Sequence, residues 1–464
     1  MREADLRLSL EKIKAPRILV VGDLMLDYYS WGEVDRISPE APIPVMRVLR
    51  EDRRLGGAGN VVMNLTTLGA EVLVCGVTGK DDTGENIRRL LTENGVDQSG
   101  VIIAENYKSC LKHRMIAGQT HLLRMDIDPD PEVLAPQKQL IEYLEQQIPG
   151  CDAVIVSDYG KGLLNSDTLK VISDCGKKHG IPIIGDPRCT TNYEIYQGFT
   201  LIKPNRKETE AAVGFALNDQ NDVLKAAEQL QKEVELNYLV ISLDKDGLLL
   251  FCSPDNYHFL AAETQEVYDV VGAGDMVSSL LTFMLAGQAG IEQAAFWAQL
   301  AASLEIQQVG VVSFSKNELL QRFDYGETSS KIMSPKKLFR TLPKDLPVVF
   351  TNGYFDEISA GHLKFLHQLK TLKGFNVVAI NSDSSITRQK GQPPLLNERE
   401  RALLLSAIEA VDRVIIYDDA DASVLIRNIC PAVVVKGEHF RKQKLPEQEA
   451  ILETGAQLEY FPEY

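Results

Sequence analysis

The sequence predicts an α/β protein of two domains, in which parallel β-sheets are covered by helices on both faces. Short aliphatic runs that end in polar residues recur along the 464-residue chain. They alternate with segments of helical apolar spacing, which is the pattern typical of βα units. The pattern stops near 324 and restarts at 347. We therefore predict a larger first domain over 1–323, a linker over 324–346 and a smaller second domain over 347–464.

Composition is ordinary for a soluble globular protein, with 44% apolar and 25% charged residues. The net charge of −16 argues against nucleic acid or an anionic membrane as the main partner. The amino terminus lacks an apolar core of signal-peptide length, and no apolar stretch is long enough to cross a bilayer, so we expect a cytoplasmic protein. The 7 cysteines include no Cys-x-x-Cys pair, so neither a disulfide framework nor a zinc site is predicted.

The most informative stretch is Tyr268–Asp275, which directly precedes an apolar run of helical spacing. Small residues before a helix expose backbone N–H groups at the positive end of the helix dipole, which favours an anion. We predict that the N–H groups of Gly272, Ala273 and Gly274 bind a transferring phosphate. The carboxylate of Asp275 is predicted to take the proton of the attacking hydroxyl. A tight connection without a ligand is the alternative interpretation.

A second glycine-rich stretch, Leu55–Asn60, also precedes a segment of helical spacing. Glycines let the backbone approach a ligand closely, and an asparagine side chain offers a donor and an acceptor to hydroxyl groups. We therefore predict that Gly56, Gly57 and Asn60 contribute to sugar binding rather than phosphate binding.

The first aliphatic run, Arg17–Gly22, predicts a buried parallel strand. Asp23 and Asp27 follow this run, and open α/β sheets bind their ligands at the carboxyl ends of the strands. Both acids are therefore candidate ligand-binding residues. Turn or capping roles are the alternative for each of them.

Two segments, Trp31–Val48 and Tyr107–Asp128, contain alternating residues that predict a small antiparallel sheet apart from the main one. Lys112, Arg114 and Arg124 lie on one face of this predicted sheet. A sheet with such a polar face is suited to cover a phosphorylated sugar as a lid. A solvated sheet face is the alternative interpretation.

Three further aliphatic runs, Ala153–Asp158, Ile181–Asp186 and Thr200–Asn205, end in polar residues that meet at one edge of the predicted parallel sheet. Asn205 and Glu208 are spaced three apart where the next helix begins. Their oxygens predict a magnesium ion bound through water. A helix-capping pair is the alternative.

The second domain repeats the α/β pattern on a smaller scale, enough for one doubly wound domain. Its first strand leads into the loop Asn352–Asp356 and then into Ser359–His362. Strands are predicted over 347–351, 376–381, 413–417 and 432–436, and helices over 363–372 and 398–410.

On these motifs the first domain resembles the ribokinase-like sugar kinases. The segments Gly56–Asn60 and Gly272–Asp275 occur at the separation typical of that family. The resemblance implies a three-layer α/β/α domain with a β-sheet lid, with Asp275 as the catalytic base and Gly272–Gly274 as the anion hole. That family usually has threonine where this chain has Val271. Other segments that narrow the match are Val21–Asp27, Arg36–Pro42, Ser157–Gly162 and Gln265–Val270.

The resemblance also implies roles for residues around the predicted sugar and nucleotide. Hydroxyl groups of the sugar would be held by Asp27, Gly56, Gly57 and Asn60. The phosphate of the sugar would lie near Lys112, Arg114 and Lys161. Magnesium would be organised by Asn205 and Glu208, and the nucleotide would be bordered by Ser242, Asp244 and Gly247.

The second domain resembles the cytidylyltransferase-like nucleotidyltransferases, whose first loop carries His-x-Gly-His. This chain has Ser359 in place of the first histidine and retains His362. It also has the segment Lys436–Phe440, Lys-Gly-Glu-His-Phe, where those relatives show Lys-Gly-Gly-Asp-Tyr. A hydroxyl donates a hydrogen bond but carries no positive charge, so a weakened or purely structural domain is the alternative to an active one. The nucleotide site that the resemblance implies comprises Gly353, Phe355, Asp356, Ser359, Gly361, His362, Lys390, Arg401 and Lys436.

Taken together, the two domains are similar to bifunctional enzymes of ADP-heptose synthesis. Those enzymes phosphorylate D-glycero-D-manno-heptose 7-phosphate at O1 and then adenylylate the 1-phosphate. The resemblance implies ATP and Mg²⁺ as cofactors, a sugar phosphate as substrate and a homodimer formed through the lid. A kinase with a non-reacting second domain is one alternative, and a nucleotide-sensing interaction protein without activity is another.

Overall fold

The chain divides into two compact units, Met1–Leu320 and Gln321–Tyr464. Residues 263–271, which contain much of the predicted Tyr268–Asp275 motif and Val271, lie outside the described residues. The computed structural model describes residues 3–118, 120–130, 133, 135–262, 272–306, 312–335, 338–339, 342–343 and 346–462.

The first unit contains a nine-stranded sheet and a separate four-stranded sheet. The strands of this unit are β1 (Arg17–Gly22), β2 (Leu24–Ile37), β3 (Pro44–Gly57), β4 (Glu71–Gly79), β5 (Asp97–Ala104), β6 (Cys110–Ala117), β7 (Thr120–Ile127), β8 (Ala153–Ser157), β9 (Ile183–Asp186), β10 (Leu201–Ile202), β11 (Tyr238–Ser242), β12 (Leu248–Ser253) and β13 (Asn256–Leu260).

The nine-stranded sheet has the order β13-β12-β11-β10-β9-β8-β1-β4-β5. Its pairings from β5 through β11 are parallel, while β12 and β13 join antiparallel. The predicted parallel sheet is therefore confirmed. The carboxyl ends of β1, β8, β9 and β10 lie along one edge, because parallel strands point the same way.

Helices cover both faces of the nine-stranded sheet. Leu140, Leu169 and Leu230 pack three helices into one core cluster. The helices Ala58–Leu68 and Ala273–Ala286 contact β1, and the second of them also contacts the helix Ile291–Glu305. The helices of this part are α1 (Glu3–Glu11), α2 (Ala58–Leu68), α3 (Asp82–Glu93), α4 (Gln137–Gln147), α5 (Ser166–His179), α6 (Arg206–Val213), α7 (Gln220–Val234), α8 (Ala273–Ala286), α9 (Ile291–Glu305) and α10 (Lys316–Ser330).

The four-stranded sheet, here called the lid, has the order β3-β2-β6-β7. The prediction of a purely antiparallel lid is wrong, because β2 and β6 pair in parallel. Parallel neighbours need a long crossover, and the chain between β2 and β6 contributes strands β4 and β5 to the main sheet. Asp27 lies within lid strand β2, so only Asp23 directly follows β1. The lid pairs Asp27 with Arg54 on one side and with Lys112 on the other.

The second unit contains a six-stranded sheet and two clusters of buried apolar side chains. Its strands are β14 (Ile332–Met333), β15 (Val348–Gly353), β16 (Phe375–Asn381), β17 (Arg413–Tyr417), β18 (Val433–Gly437) and β19 (Gln457–Phe461). Every pairing in this sheet is parallel, and the strand order is β14-β17-β16-β15-β18-β19. Its further helices are α11 (Ala360–Gln368), α12 (Asp383–Lys390), α13 (Glu398–Ser406), α14 (Ser423–Ile429) and α15 (Gln448–Thr454).

The interval predicted as a linker, 324–346, begins within α10 and contains β14, which pairs with β17. The limits of the two domains therefore remain a proposal. Among the described residues, no helix is both long enough and apolar enough to cross a membrane.

Candidate active sites

Asp275 lies in the first turn of α8, at the edge of the main sheet where the strands end. Gly272 precedes this helix with φ of 101°, a conformation that glycine adopts without strain. The buried carboxylate accepts one hydrogen bond from Asn60 Nδ2 and one from the Tyr159 hydroxyl, each 2.7 Å long. Asn60 itself is in the first turn of α2. The first turns of α2 and α8, together with Tyr159, therefore hold the Asp275 carboxylate in a fixed position.

Burial raises the pKa of Asp275 to about 6, and the nearby carboxylate of Asp186 acts in the same direction. The hydrogen bonds from Asn60 and Tyr159 and the charge of Lys203 oppose this rise. A carboxylate with a pKa near neutrality is a better proton acceptor than an ordinary aspartate, yet it remains mostly ionised at pH 7.

Lys203 lies beside the predicted anion hole. Its buried ammonium is 3.1 Å from Asp186 Oδ1, and the Ser278 hydroxyl donates to Asp186 Oδ2 over 2.7 Å. A Cβ atom at Gly274 would lie 3.3 Å from Lys203 Nζ, so the ammonium adjoins the start of α8. Burial alone lowers the pKa of Lys203, but the carboxylates of Asp186 and Glu208 outweigh it and raise this pKa above its usual value.

Sequence reasoning gave no role to Tyr159, Asp186 or Lys203. Asp186 ends β9 and Lys203 follows β10, each within an aliphatic run that the sequence identified, while Tyr159 lies one residue beyond the run that contains β8. The rule that ligands bind at the carboxyl ends of strands could therefore have identified these three residues.

A cavity of about 710 Å³ opens beside the helix start of Asp275. It brings together most of the residues predicted to border the nucleotide. Gly247 has φ of 92°, and a Cβ atom there would approach the Leu260 carbonyl oxygen to 2.0 Å, so only glycine fits this turn. The lining includes Lys203, Asn205, Ser242, Asp244, Gly247, Ala273 and Gly274.

Asn205 and Glu208 form a reciprocal capping box at the start of α6. Glu208 Oε2 accepts the Asn205 N–H over 2.7 Å, and Asn205 Oδ1 accepts the Glu208 N–H over 2.9 Å. Asn205 and Glu208 therefore cap the helix, as the alternative interpretation predicted. Each side chain has a second polar atom, and burial raises the pKa of Glu208. The magnesium role of this pair stays a prediction.

On the sugar side, Asp27 of β2 and Arg114 of β6 form a buried ion pair within the lid. A Cβ atom at Gly56 would lie 2.2 Å from Asp27 Oδ2, so glycine makes room for this carboxylate. A cavity of about 270 Å³ is lined by Asp27, Asn60 and the basic residues Arg53 and Arg54. Asp27 and Asn60, both predicted to bind sugar hydroxyl groups, therefore line one cavity, and Asn60 also contacts Asp275.

The other residues predicted to bind the sugar phosphate, Lys161 and Lys112, lie close by but already contact other side chains. Lys161 Nζ contacts Asp128 Oδ2 at 2.6 Å, and Lys112 Nζ lies 5.2 Å from the centroid of the Tyr159 ring. Arg124 pairs with the exposed Asp126 on the same strand, and the lid register places Asp126 opposite Lys112. Gly57 precedes α2 with φ of 57°.

The second unit has a cavity of about 560 Å³ at the carboxyl ends of its central strands. Three predicted residues, Ser359, Gly361 and Arg401, are not part of the cavity lining. The predicted residues that do line it are Gly353, Phe355, Asp356, His362, Lys390 and Lys436. Further lining residues that sequence reasoning left without a role include Asn352, Tyr354, His439 and Glu447.

Ser359 is the N-cap of α11 rather than a cavity residue. Its hydroxyl lies 3.0 Å from His362 Nδ1, and its N–H donates to the same nitrogen over 3.2 Å. These contacts fix the orientation of the imidazole, which packs against Phe355 with ring centroids 5.5 Å apart. The serine thus orients the remaining histidine.

Arg401 is fully buried, and its guanidinium makes hydrogen bonds within the protein. It donates to the carbonyl oxygens of Leu396, Tyr354 and Asn381 at 3.0, 2.7 and 2.9 Å and to the Asp383 carboxylate at 2.7 Å. A role in direct nucleotide contact does not fit this geometry. Arg401 instead ties together the loops that shape the cavity.

Lys436 and Glu447 form a buried ion pair that faces the same cavity. The ammonium also donates to Asn352 Oδ1 over 2.7 Å. Lys390 Nζ lies 3.8 Å from Asp356 Oδ2 and 4.5 Å from the centroid of the Tyr354 ring. Both cationic side chains are therefore partly neutralised by carboxylates.

The fold and the two sites define a carbohydrate kinase joined to a nucleotidyltransferase-like domain. Residues 15–318 match the family described as pfkB family carbohydrate kinase, and residues 350–456 match the cytidylyltransferase-like family. The chain is 36% identical to the bifunctional protein HldE of Citrifermentans bemidjiense, over 99% of this chain and 96% of that protein. It is 37% identical to HldE of Wolinella succinogenes, over 95% and 94%. The chain belongs to this HldE family.

Solved structures agree with the fold of the first unit. An Arabidopsis thaliana ribokinase complexed with ribose and ATP aligns with a TM-score of 0.55 at 18% identity, over 67% of this chain and 99% of that one. Escherichia coli phosphofructokinase-2 in complex with fructose-6-phosphate aligns with a TM-score of 0.55 at 21% identity, over 67% and 99%. The ribokinase-like fold expected from the sequence is confirmed.

We predict that Arg401→Met lowers the free energy of unfolding of the second unit by about 3 kcal/mol, because buried acceptors lose their partners. Denaturant unfolding, followed by a probe in that unit, measures the change. Arg399→Met is the matched control, since Arg399 lies on the same helix but is exposed. Equal unfolding midpoints for the two variants would contradict the structural role of Arg401.

Proposed function

We propose that this chain phosphorylates D-glycero-D-manno-heptose 7-phosphate at O1 with ATP, and then adenylylates the heptose 1-phosphate to ADP-heptose. Membership in the HldE family and the presence of both domains in one chain support this proposal. The observation that carries the kinase step is the Asp275 carboxylate, held by Asn60 and Tyr159 where α8 begins.

In the kinase step, the Asp275 carboxylate takes the proton of the sugar O1 hydroxyl as O1 attacks the γ-phosphorus of ATP. The bond from the γ-phosphorus to the bridging oxygen breaks, and ADP leaves with that electron pair. The N–H groups at the start of α8 and the Lys203 ammonium face the charge on the transferring group. Fixed donors of this kind stabilise the transition state because they need no reorganisation.

The oxygen donors of Asn205 and Glu208 fit Mg²⁺, which binds through few protein ligands together with water and phosphate oxygens. Among the described residues there is no group of three or more His, Cys, Asp or Glu side chains suited to hold a metal by themselves. Bound Mg²⁺ would neutralise charge on the phosphates. Asn205 and Glu208 would hold it while they cap α6.

In the adenylyl transfer, a phosphate oxygen of heptose 1-phosphate attacks the α-phosphorus of a second ATP. The bond between the α-phosphorus and the oxygen bridging to the β-phosphorus breaks, and pyrophosphate leaves. Lys390 and the oriented His362 line the cavity in which we place this reaction. The product of the first unit is thus the acceptor in the second. A kinase whose second unit does not react is the alternative, which rests on Ser359.

We further propose a homodimer formed through the lid, in the cytoplasm, where ATP is available. The lid carries several exposed large apolar side chains, and their burial would favour association between two copies of the chain. These residues are Val34, Ile37, Val48, Leu49, Leu122, Leu123 and Met125.

We predict that Asp275→Asn reduces ADP formation from ATP and heptose 7-phosphate by at least about 10³-fold, because an amide cannot accept the O1 proton. Pyrophosphate release from ATP and heptose 1-phosphate is expected to stay unchanged in the same sample, since it uses the other unit. Asp255→Asn, in an exposed turn, is the control. Retained kinase turnover in Asp275→Asn would remove this residue from the mechanism.

We predict that Leu49→Asp combined with Leu123→Asp converts a dimer into a monomer, because charge on both chains would be buried at the interface. Sedimentation velocity measures the mass. Leu452→Asp, at an exposed position of α15 outside the lid, should leave the dimer intact. A wild-type protein that sediments as a monomer would contradict the lid interface.

A further inference from the structure

Two histidines, His362 and His439, line the cavity of the second unit. They belong to different loops. His362 lies in the first turn of α11, which follows β15, and His439 lies in the short turn Glu438–Phe440 that follows β18. Because β15 and β18 are parallel neighbours, the loops at their carboxyl ends flank one strip of the cavity.

The charges around this cavity leave little net positive charge for a triphosphate. The ammonium of Lys436 is paired with Glu447, and that of Lys390 lies near Asp356. Two further carboxylates, Glu357 and Asp421, line the same cavity. The leaving pyrophosphate gains negative charge as the α-phosphorus is attacked. A further cationic donor on the cavity wall would therefore stabilise the transition state beyond what the two lysines supply.

The surroundings of His439 restrain its loop and ring. The His439 ring packs on the Phe440 ring with centroids 4.0 Å apart, and Gln443 Nε2 donates to the His439 carbonyl oxygen over 3.1 Å. Phe440 also lies 5.9 Å from the Lys436 ammonium. His439 is thus held on the wall that carries Lys436.

Among the described residues, the loop after β15 supplies one imidazole, that of His362, to the cavity lining. Ser359 is occupied as the N-cap of α11 and contacts His362 Nδ1, so its hydroxyl orients His362 and does not line the cavity. A second imidazole can therefore come only from another loop among the described cavity residues, and His439 is in that position.

We propose that His439, in its protonated form, is a catalytic residue of the adenylyl transfer that binds the phosphate chain of ATP together with His362. The inference rests on the function proposed above and deepens it. As the acceptor phosphate oxygen bonds to the α-phosphorus and the bond to the bridging oxygen breaks, the imidazolium of His439 donates a hydrogen bond to the departing pyrophosphate. No proton need leave the imidazolium, so the charge of the donor is what matters.

The test is pyrophosphate release from ATP, Mg²⁺ and heptose 1-phosphate by the full chain. His439→Gln should lower kcat by about 10²-fold to 10³-fold, as loss of one preorganised donor does in other enzymes. His439→Arg, which keeps a cation, should retain most of the wild-type rate. ADP formation by the kinase unit in the same samples reports that the chain is folded.

His367→Gln is the matched control, because His367 is exposed on α11 and is not in the cavity lining, and it should leave pyrophosphate release unchanged. Wild-type rates for His439→Gln, or equal losses for His439→Gln and His439→Arg, would overturn the role of His439 while the proposed function stands. No pyrophosphate release by the wild type, with normal ADP formation, would overturn the adenylyl transfer itself and this inference with it.

Discussion

The arrangement on which the first unit depends is a buried carboxylate held by two neutral donors at the start of a helix. Asp275 accepts hydrogen bonds from Asn60 and Tyr159, which come from two other parts of the chain. Burying a charge is costly unless hydrogen bonds and nearby charges compensate it. Here the compensation is incomplete, because the carboxylate of Asp186 adds to the effect of burial and the pKa rises. The same incomplete compensation suits Asp275 to its proposed role as a base at neutral pH.

Asp186 and Lys203 extend this balance toward the nucleotide cavity. Their ion pair places a permanent positive charge next to Gly274 without leaving an isolated charge in the interior. Since Ser278 of α8 donates to Asp186, the helix that carries the base also positions the acid that holds the lysine. The proposed base, the predicted anion hole and the Lys203 ammonium are therefore linked through one helix and two strand ends.

Much of this organisation was predictable from the sequence, because strand ends and glycine-rich helix starts are local features. The parallel pairing of β2 with β6 was not predictable, since it depends on where the chain returns to the lid after it has formed strands β4 and β5 of the main sheet. Arg401 shows the same limit: its spacing matched a family motif, but only the fold shows that its donors are consumed by backbone carbonyls. His439 was noted within the segment Lys436–Phe440 but received no role, because a histidine two residues after a strand has no local signature of binding.

The pH dependence of the kinase reaction tests the central claim most directly. Because kcat/KM reports the free enzyme, its acidic limb follows the protonation of the catalytic base. With a pKa of about 6, Asp275 is protonated and inactive below that pH, so kcat/KM for heptose 7-phosphate should fall as the pH drops through about 6. A rate that stays constant down to the ordinary aspartate range, near the value of 3.8, would contradict the account.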